Sequence, residues 1–260
     1  MNHDFWRVQE PDKPLYPDFD WKRPERASDR GNLLIIGGNR GGFAAVQVAY
    51  KAALEAGAGE VRLLLPDVLE KVVPKDALDA AFLPSNSSGG FSRDGLAAGL
   101  AACQWADSVI FIGDSGQNSE TALLIEKLLA QTEVKFMLTR DGVDLLRGVG
   151  EALMRRPNTT FAVSFAQLQK LFQSVYYPKM LTFSQNLNQV VENLHKFTIT
   201  YPVVIELFHK DQLILAAGGQ VVTQKYTGAV NMWTGKLPTR SAVYQMWSED
   251  DIEALAASVV

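Results

Sequence analysis

Cysteine is almost missing from this chain: Cys103 is the only one in 260 residues. An internal disulfide is therefore excluded, and the composition suits a reducing compartment. Cys103 lies in Gly-Leu-Ala-Ala-Cys-Gln-Trp, the apolar side of an expected helix, and reads as a small buried hydrophobe. Histidine is scarce too. His3, His195 and His209 show no metal-ligand spacing, so no metal site is expected. The net charge is −4, which supplies no basic face for a phosphate backbone and argues against a nucleic acid partner. No apolar run approaches the roughly 18 residues of a membrane span. The opening Met1-Asn2-His3-Asp4-Phe5-Trp6 lacks the apolar core of a signal peptide. These two features place the expected location in the cytoplasm, away from any membrane.

Standard motifs are missing as well. Gly235-Lys236 is followed by Leu237 and has Val230 where a Walker loop needs its first glycine. No frame of the first glycine cluster satisfies Gly-x-Gly-x-x-Gly, and there is no Gly-x-Ser-x-Gly elbow. No nucleophile is assigned.

What is present is a regular alternation. Residues 1–31 read as an extended arm. Pro11, Pro14, Pro17 and Pro24 prevent a continuous helix, while Trp6, Leu15, Tyr16, Phe19 and Trp21 are too apolar for a free tail. The arm packs on its own subunit or on a neighbour, or covers a substrate, and a homo-oligomer is expected. Residues 32–260 read as one domain. Leu33-Leu34-Ile35-Ile36 is a buried strand ending in Gly37-Gly38, residues 43–56 a helix capped near Gly57, and residues 61–65 the next strand. The rhythm continues through helices at 96–106, 120–130, 167–172 and 184–194 and strands at 108–112, 134–138 and 159–163. Such alternation predicts a mostly parallel sheet covered on both faces. Strands at 203–207, 213–216 and 220–223, joined by short turns, predict antiparallel strands at one edge. A polar loop at 227–240 then leads to a C-terminal helical region, and the Ser/Gly-rich stretch 85–90 reads as a mobile loop.

Ligands of open parallel sheets bind beyond the C-terminal strand ends. Three glycine-rich loops fall there. The first holds Gly37, Gly38, Asn39, Arg40 and Gly41, with Ala45 in the helix that follows. The second holds Gly113, Asp114, Ser115, Gly116 and Asn118, with Asn118 or Ser119 as the alternative helix cap. The third runs from Thr227-Gly228 to Thr234, Gly235 and Lys236. Glycines let backbone approach a ligand, and a helix N-terminus favours an anion. Arg40 and Lys236 are candidate anion contacts. Asp141, Asp114 and Glu120 are the carboxylates expected near these loops, and His209 sits at a strand end.

Leu33 to Asn39 with Ala45 and Ala56-Gly57-Ala58-Gly59, then Ala106 to Gly113 with Gly116 and Glu120-Thr121, then Thr227-Gly228, Met232 and Thr234-Gly235, resemble in order and spacing the ribokinase-like NAD(P)H-hydrate dehydratases, over residues 30–245. The resemblance implies a three-layer α/β/α ribokinase-like fold and a nucleotide site for ATP or ADP, or for an NAD(P)H-related ligand, with Mg if the chain is active. That family's Gly-Thr-Gly-Asp turn carries the catalytic base, and the matching register puts Thr239 where the Asp should be, preceded by Pro238. A hydroxyl cannot replace a carboxylate base, and proline removes a backbone donor from the anion hole. The family's His and Glu in its Thr-Pro-His-Pro-Gly-Glu segment become Ser164 and Gln167; in its Asp-Ala-Asp segment the first Asp becomes Thr139 while Asp141 stays; its Lys-Gly becomes Glu206-Leu207. The expectation is a divergent member that binds a nucleotide with catalysis lost or much reduced. Two rivals stand beside it: an active nucleotide-dependent lyase or small-molecule kinase using Asp141 or Asp114, and an assembly protein joined through its arm.

Overall fold

The computed structural model describes residues 4–74, 78–146, 148 and 150–260. Among the described residues ten strands form one sheet in the order β1-β10-β9-β8-β7-β6-β5-β2-β3-β4. The ranges are β1 Trp6–Gln9, β2 Asn32–Gly37, β3 Glu60–Pro66, β4 Ala80–Leu83, β5 Ser108–Gly113, β6 Lys135–Thr139, β7 Thr159–Ser164, β8 Val203–His209, β9 Gln212–Ala217 and β10 Gln220–Lys225. Strands β4, β3, β2, β5, β6, β7 and β8 pair in parallel. β9 is antiparallel to both β8 and β10. This is the expected parallel sheet with antiparallel strands toward one edge.

Near-continuous apolar runs make the central strands, because helices cover both sides of a parallel sheet. Leu33, Leu34, Ile35 and Ile36 are all fully buried. Alternation then sorts them: Leu34 and Ile36 join one core, Leu33 and Ile35 the other. The first core takes side chains of α2 (Leu96–Trp105), α3 (Ser119–Gln131), α6 (Phe165–Ser174) and α7 (Leu187–Thr200). The second takes α1 (Ala44–Ala56), α9 (Lys236–Tyr244) and α10 (Asp251–Val259). Among the described residues there are also the short α-helices α4 (Asp141–Leu145), α5 (Glu151–Met154) and α8 (Ala229–Trp233). The result is a three-layer α/β/α arrangement. Gly57 ends α1 at φ 93°, donating its N–H to Ala53 and Leu54 carbonyls, as the sequence predicts for a left-handed cap.

Several local expectations need correction. Residues 227–240 are not a loop: α8 and the first half of α9 occupy them. Residues 85–90 are pinned, not mobile. The Asn86 side chain donates to Phe91 O (2.9 Å) and accepts from the Ser88 and Gly90 amides, while Arg40 N–H donates to Gly89 O (2.9 Å). α7 starts at Leu187 under an Asn186–Gln189 capping box and runs on to Thr200, later at both ends than the apolar spacing suggests. β1 and β4, four residues each, carry too little pattern to be seen in sequence. β1 adds to β10 in parallel. Trp6 Nε1 donates to Thr223 Oγ1, Phe5 stacks on His195 at 3.7 Å, and Phe19 on Tyr244 at 5.1 Å. Of the arm's aromatics, Trp21 stays 88% exposed.

Candidate functional site

The parallel strands end together, and a cleft opens beyond β2, β5, β6 and β7. One part, about 420 Å³, is lined by Asn39, Gly41, Gly42, Ala44, Asp114, Gly116 and Asp141. The other, about 530 Å³, is lined by Asp114, Arg140, Asp141, Asp144, Ser164, Ala166, Gln167, Lys170 and Trp233. Asp114 and Asp141 belong to both, so the first two glycine loops meet on one cavity, as expected from their strand-end positions.

The loops are held by packing. Gly37 cannot take a side chain, since a Cβ there would lie 2.6 Å from Gly113 O and Ile112 Cγ2. Gly38 donates its N–H to Gly113 O (3.0 Å), which ties the first loop to the second. Asn39 and Gly42 exchange backbone hydrogen bonds, and Asn39 Oδ1 accepts from Gly41 N–H (2.5 Å). Ser115 is 1% exposed and donates to Gly113 O, so its hydroxyl is spent inside the turn. Asn118 accepts from Glu120 N–H (2.9 Å): the helix-cap role holds for it. Glu120 Oε2 accepts a hydrogen bond from the Ser92 hydroxyl (3.3 Å).

Charge in the cleft is organised around Asp114 and Arg140. Arg140 Nη2 pairs with Asp114 Oδ1 at 2.6 Å. Arg140 Nη1 donates to the Trp233 carbonyl at the end of α8. Asp114 Oδ2 accepts from Ala45 N–H (3.2 Å), and Asp141 Oδ1 accepts from Asp114 N–H (3.0 Å). Both Asp114 and Arg140 have φ of 56°, in the left-handed region that costs a side-chain-bearing residue roughly 1–3 kcal/mol. Gln167 Nε2 donates to Arg140 O (2.7 Å) and Asp144 Oδ2 (2.9 Å), and Lys170 Nζ pairs with Asp144 Oδ1 at 2.6 Å. Ser164 and Gln167 together form the capping box of α6.

The third loop divides. Trp233 faces the cleft, while Thr227, Gly228 and Lys236 face a separate groove of about 480 Å³. The groove lies among α1, α8, α9 and α10, with Tyr226, Asn231, Arg240 and Tyr244 in its wall. Gly235, at φ 85°, sits between the two spaces: a Cβ there would come within 2.4 Å of Ile112 Cδ1 and 3.7 Å of Arg140 Cδ. Thr234 Oγ1 donates to Val230 O, and Lys236 Nζ pairs with Glu55 Oε2 at 3.1 Å.

Thr239 requires correction. It is not in the turn. The turn closes at Gly235, Lys236 is the first residue of α9, and Thr239 lies a turn deeper, fully buried, with its hydroxyl donating to Gly235 O (2.7 Å). Glu206 is also away from the cleft. It lies mid-strand in β8, opposite Ala162 and Leu215, fully buried, and neither carboxyl oxygen meets hydrogen-bond geometry with a partner. Burial raises its pKa to about 8, against a small lowering by the nearby Ser241 hydroxyl. His209, at the end of β8, stacks on Phe165 at 4.2 Å. Burial, then the Lys210 charge, lowers its pKa and favours the neutral ring. Burial pushes the Cys103 thiol up to about 12, in keeping with an inert core position. No cluster of three metal-ligating side chains occurs among the described residues, and no helix there is long and apolar enough to cross a membrane.

Arg140, Asp144 and Lys170 were missed as cleft residues, and Tyr226, Arg240 and Tyr244 as groove residues. The strand-end rule alone could have found Arg140, which follows β6 directly.

No protein-family model matches the sequence, and no curated protein matches it. Solved structures do. A ribokinase-like superfamily protein from Enterococcus faecalis superposes with a TM-score of 0.73 at 15% identity, covering 100% of this chain and 86% of that one. The ADP/ATP-dependent NAD(P)H-hydrate dehydratase of Bacillus subtilis, crystallised with ATP and Mg2+, gives 0.61 at 14% identity over 95% and 86%. A phosphomethylpyrimidine kinase from Clostridium difficile gives 0.54 at 12% identity over 88% and 97%. Sheet order, layer arrangement and these superpositions agree that this chain has the ribokinase-like fold.

Proposed function

We propose that the protein binds a nucleotide or dinucleotide along the groove and turn that end at Gly235, and that the parent phosphoryl or dehydration chemistry is lost or much reduced. The observation that carries this reading is the turn at Gly235 and the start of α9, with the cleft residue Trp233 on one side of it and the groove residue Lys236 on the other. Tyr226 offers an aromatic face for a base, while Tyr244, buried and stacked on Phe19, forms part of the groove wall. Lys236 and Arg240 offer cations for phosphates, and the first turn of α9 offers backbone donors beside the cleft. The dehydratase of the same fold was crystallised with ATP and Mg2+, and its structure was also soaked with CoA, which supports a nucleotide class of ligand.

Reduced catalysis is argued from the α9 turn. A lysine heads that helix, and Thr239 is sealed in its interior. The cleft carboxylates Asp114 and Asp141 are already engaged, Asp114 by Arg140 and Ala45, Asp141 by the Asp114 amide. Calorimetry with AMP, ADP, ATP, NADH and NADPH tests the binding half, with at least one of the five expected to bind; silence from all five removes the reading. Turnover of hydrated NADH with ATP or ADP tests the second half, with none expected at high enzyme concentration.

A second reading, an active lyase or kinase with relocated acids, is favoured by Asp114 and Asp141 sharing the cleft. It requires nucleotide turnover that Asp114→Asn or Asp141→Asn abolishes. An assembly role for residues 1–31, with formation of a homo-oligomer, is weakened by the pairing of Trp6, Phe5 and Phe19 within the chain. Light scattering of a chain lacking residues 1–30 tests it, an unchanged subunit number counting against it.

A further inference from the structure

Arg140 is held in a position that its own chemistry only partly satisfies. Its guanidinium carries five N–H donors in a fixed fork. One arm pairs with Asp114 and another reaches the Trp233 carbonyl, but Nε is buried with no partner. The residue also stands at φ 56°, so its backbone is constrained to carry the side chain there.

Next to it is a helix start that is short of donors. The first turn of an α-helix offers N–H groups with no intrahelical acceptor. In α9 these come from Lys236 and Leu237, because Pro238 has no N–H and Thr239 N–H already donates to Gly235 O (3.1 Å). A phosphate seated there finds two backbone donors and the Lys236 ammonium on the groove side. Arg140 lies on the cleft side of the same turn, within 3.7 Å of where a Cβ of residue 235 would be.

We propose that Arg140 is the phosphate-recognising residue of this site: when a nucleoside diphosphate or triphosphate binds, its guanidinium turns from Asp114 and the Trp233 carbonyl to the terminal phosphate. The inference rests on the nucleotide reading above. Two facts make the exchange feasible. Asp114 keeps a hydrogen bond from Ala45 N–H after Arg140 leaves, so the carboxylate is not stranded. The fork geometry of a guanidinium matches a phosphate in two parallel hydrogen bonds, which a single carbonyl and a single carboxyl oxygen do not provide.

The experiment is calorimetry with ADP, adenosine and inorganic phosphate on the full chain and on Arg140→Gln and Arg140→Lys. Adenosine carries the base and sugar only, so the difference between ADP and adenosine reports the phosphate contacts. Arg140→Gln is expected to weaken ADP at least tenfold and leave adenosine unchanged, with Arg140→Lys recovering only part of the loss. Equal ADP affinity in Arg140→Gln and the parent chain overturns the proposal while leaving the nucleotide reading intact. Failure of the parent chain to bind ADP or ATP overturns the proposal; the nucleotide reading falls with it only if AMP, NADH and NADPH are silent as well. If Arg140→Gln binds neither ADP nor adenosine, Asp114→Asn decides: freeing the guanidinium should tighten ADP several-fold, and unchanged or weaker ADP binding overturns the proposal. Inorganic phosphate binding that Arg140→Gln abolishes supports a phosphate seat independent of the base; phosphate binding that the variant retains counts against it.

Discussion

Asp114 and Glu206 are both carboxylates carried by the sheet, and their surroundings could hardly differ more. Asp114 follows the last residue of β5, where the chain leaves the sheet, and holds an ion pair to Arg140 and a hydrogen bond from Ala45 N–H. Glu206 sits in the middle of β8 with neither, sealed between the sheet and the helical layer that carries Ser241. The difference lies in position. At a strand end, loops from several elements converge and can supply partners. Within a strand, the neighbours are fixed by register, and here they are Ala162 and Leu215. A carboxyl in the second position stays neutral, because a buried unpaired charge costs far more than a proton.

The largest effect should come from removing the stranded acid. The unfolded carboxyl titrates near 4.5 and the folded one near 8. Between these values the native state holds a proton that the unfolded chain has shed, so stability falls as pH rises, by about 1.4 kcal/mol per unit. Glu206→Met is expected to flatten that slope and raise stability at pH 8 by several kcal/mol, with little change at pH 4.5. Urea unfolding across the range measures it, and an unchanged slope would show that Glu206 is already ionised in the fold.

Next in size is the opposite case, a carboxylate with partners. Asp114→Ala leaves the part-buried Arg140 guanidinium without its counter-charge and is expected to cost roughly 1–3 kcal/mol, read as a lower denaturant midpoint at constant m. Gly235→Ala sharpens the comparison by closing the turn between groove and cleft. It adds a Cβ 2.4 Å from Ile112 Cδ1 at φ 85°, and about 1–3 kcal/mol of destabilisation is expected. The smallest effect belongs to Lys236→Ala. Its pair with Glu55 is half exposed on both sides, so thermal melting should shift by less than about 1 kcal/mol equivalent. A large shift there would mean that the groove wall, not the cleft, carries the fold.

Much of the architecture was legible because it rests on short-range pattern. The run Leu33–Ile36, the helix ending at Gly57 and the hairpins around Lys210 and Gly218 each follow from composition within a few residues. β1 was not legible: its register comes from Val221 to Gln224, more than 200 residues away. Residues 227–240 misled because Gly228, Gly235 and Pro238 look like loop residues, although Gly228 and Gly235 precede helices and Pro238 falls in the first turn of α9, where proline is tolerated. Thr239 misled for a related reason. Motif register counts residues along a chain, whereas α9 already begins at Lys236, upstream of Thr239.

At the site, Asp114 and Asp141 were visible as strand-end acids, but their hydrogen bond to one another was not. Arg140 passed unnoticed because a basic residue after a strand is commonplace until something across the cleft accepts from it. The alternation of apolar strands and amphipathic helices, read residue by residue, determined that this chain would build a parallel sheet between two helical layers. Only tertiary structure decided where charge would be satisfied, bringing Arg140 to Asp114 and Trp233 and leaving Glu206 alone. Burial patterns repeat every two to four residues along the chain, whereas an ion pair depends on the meeting of segments that no local period relates.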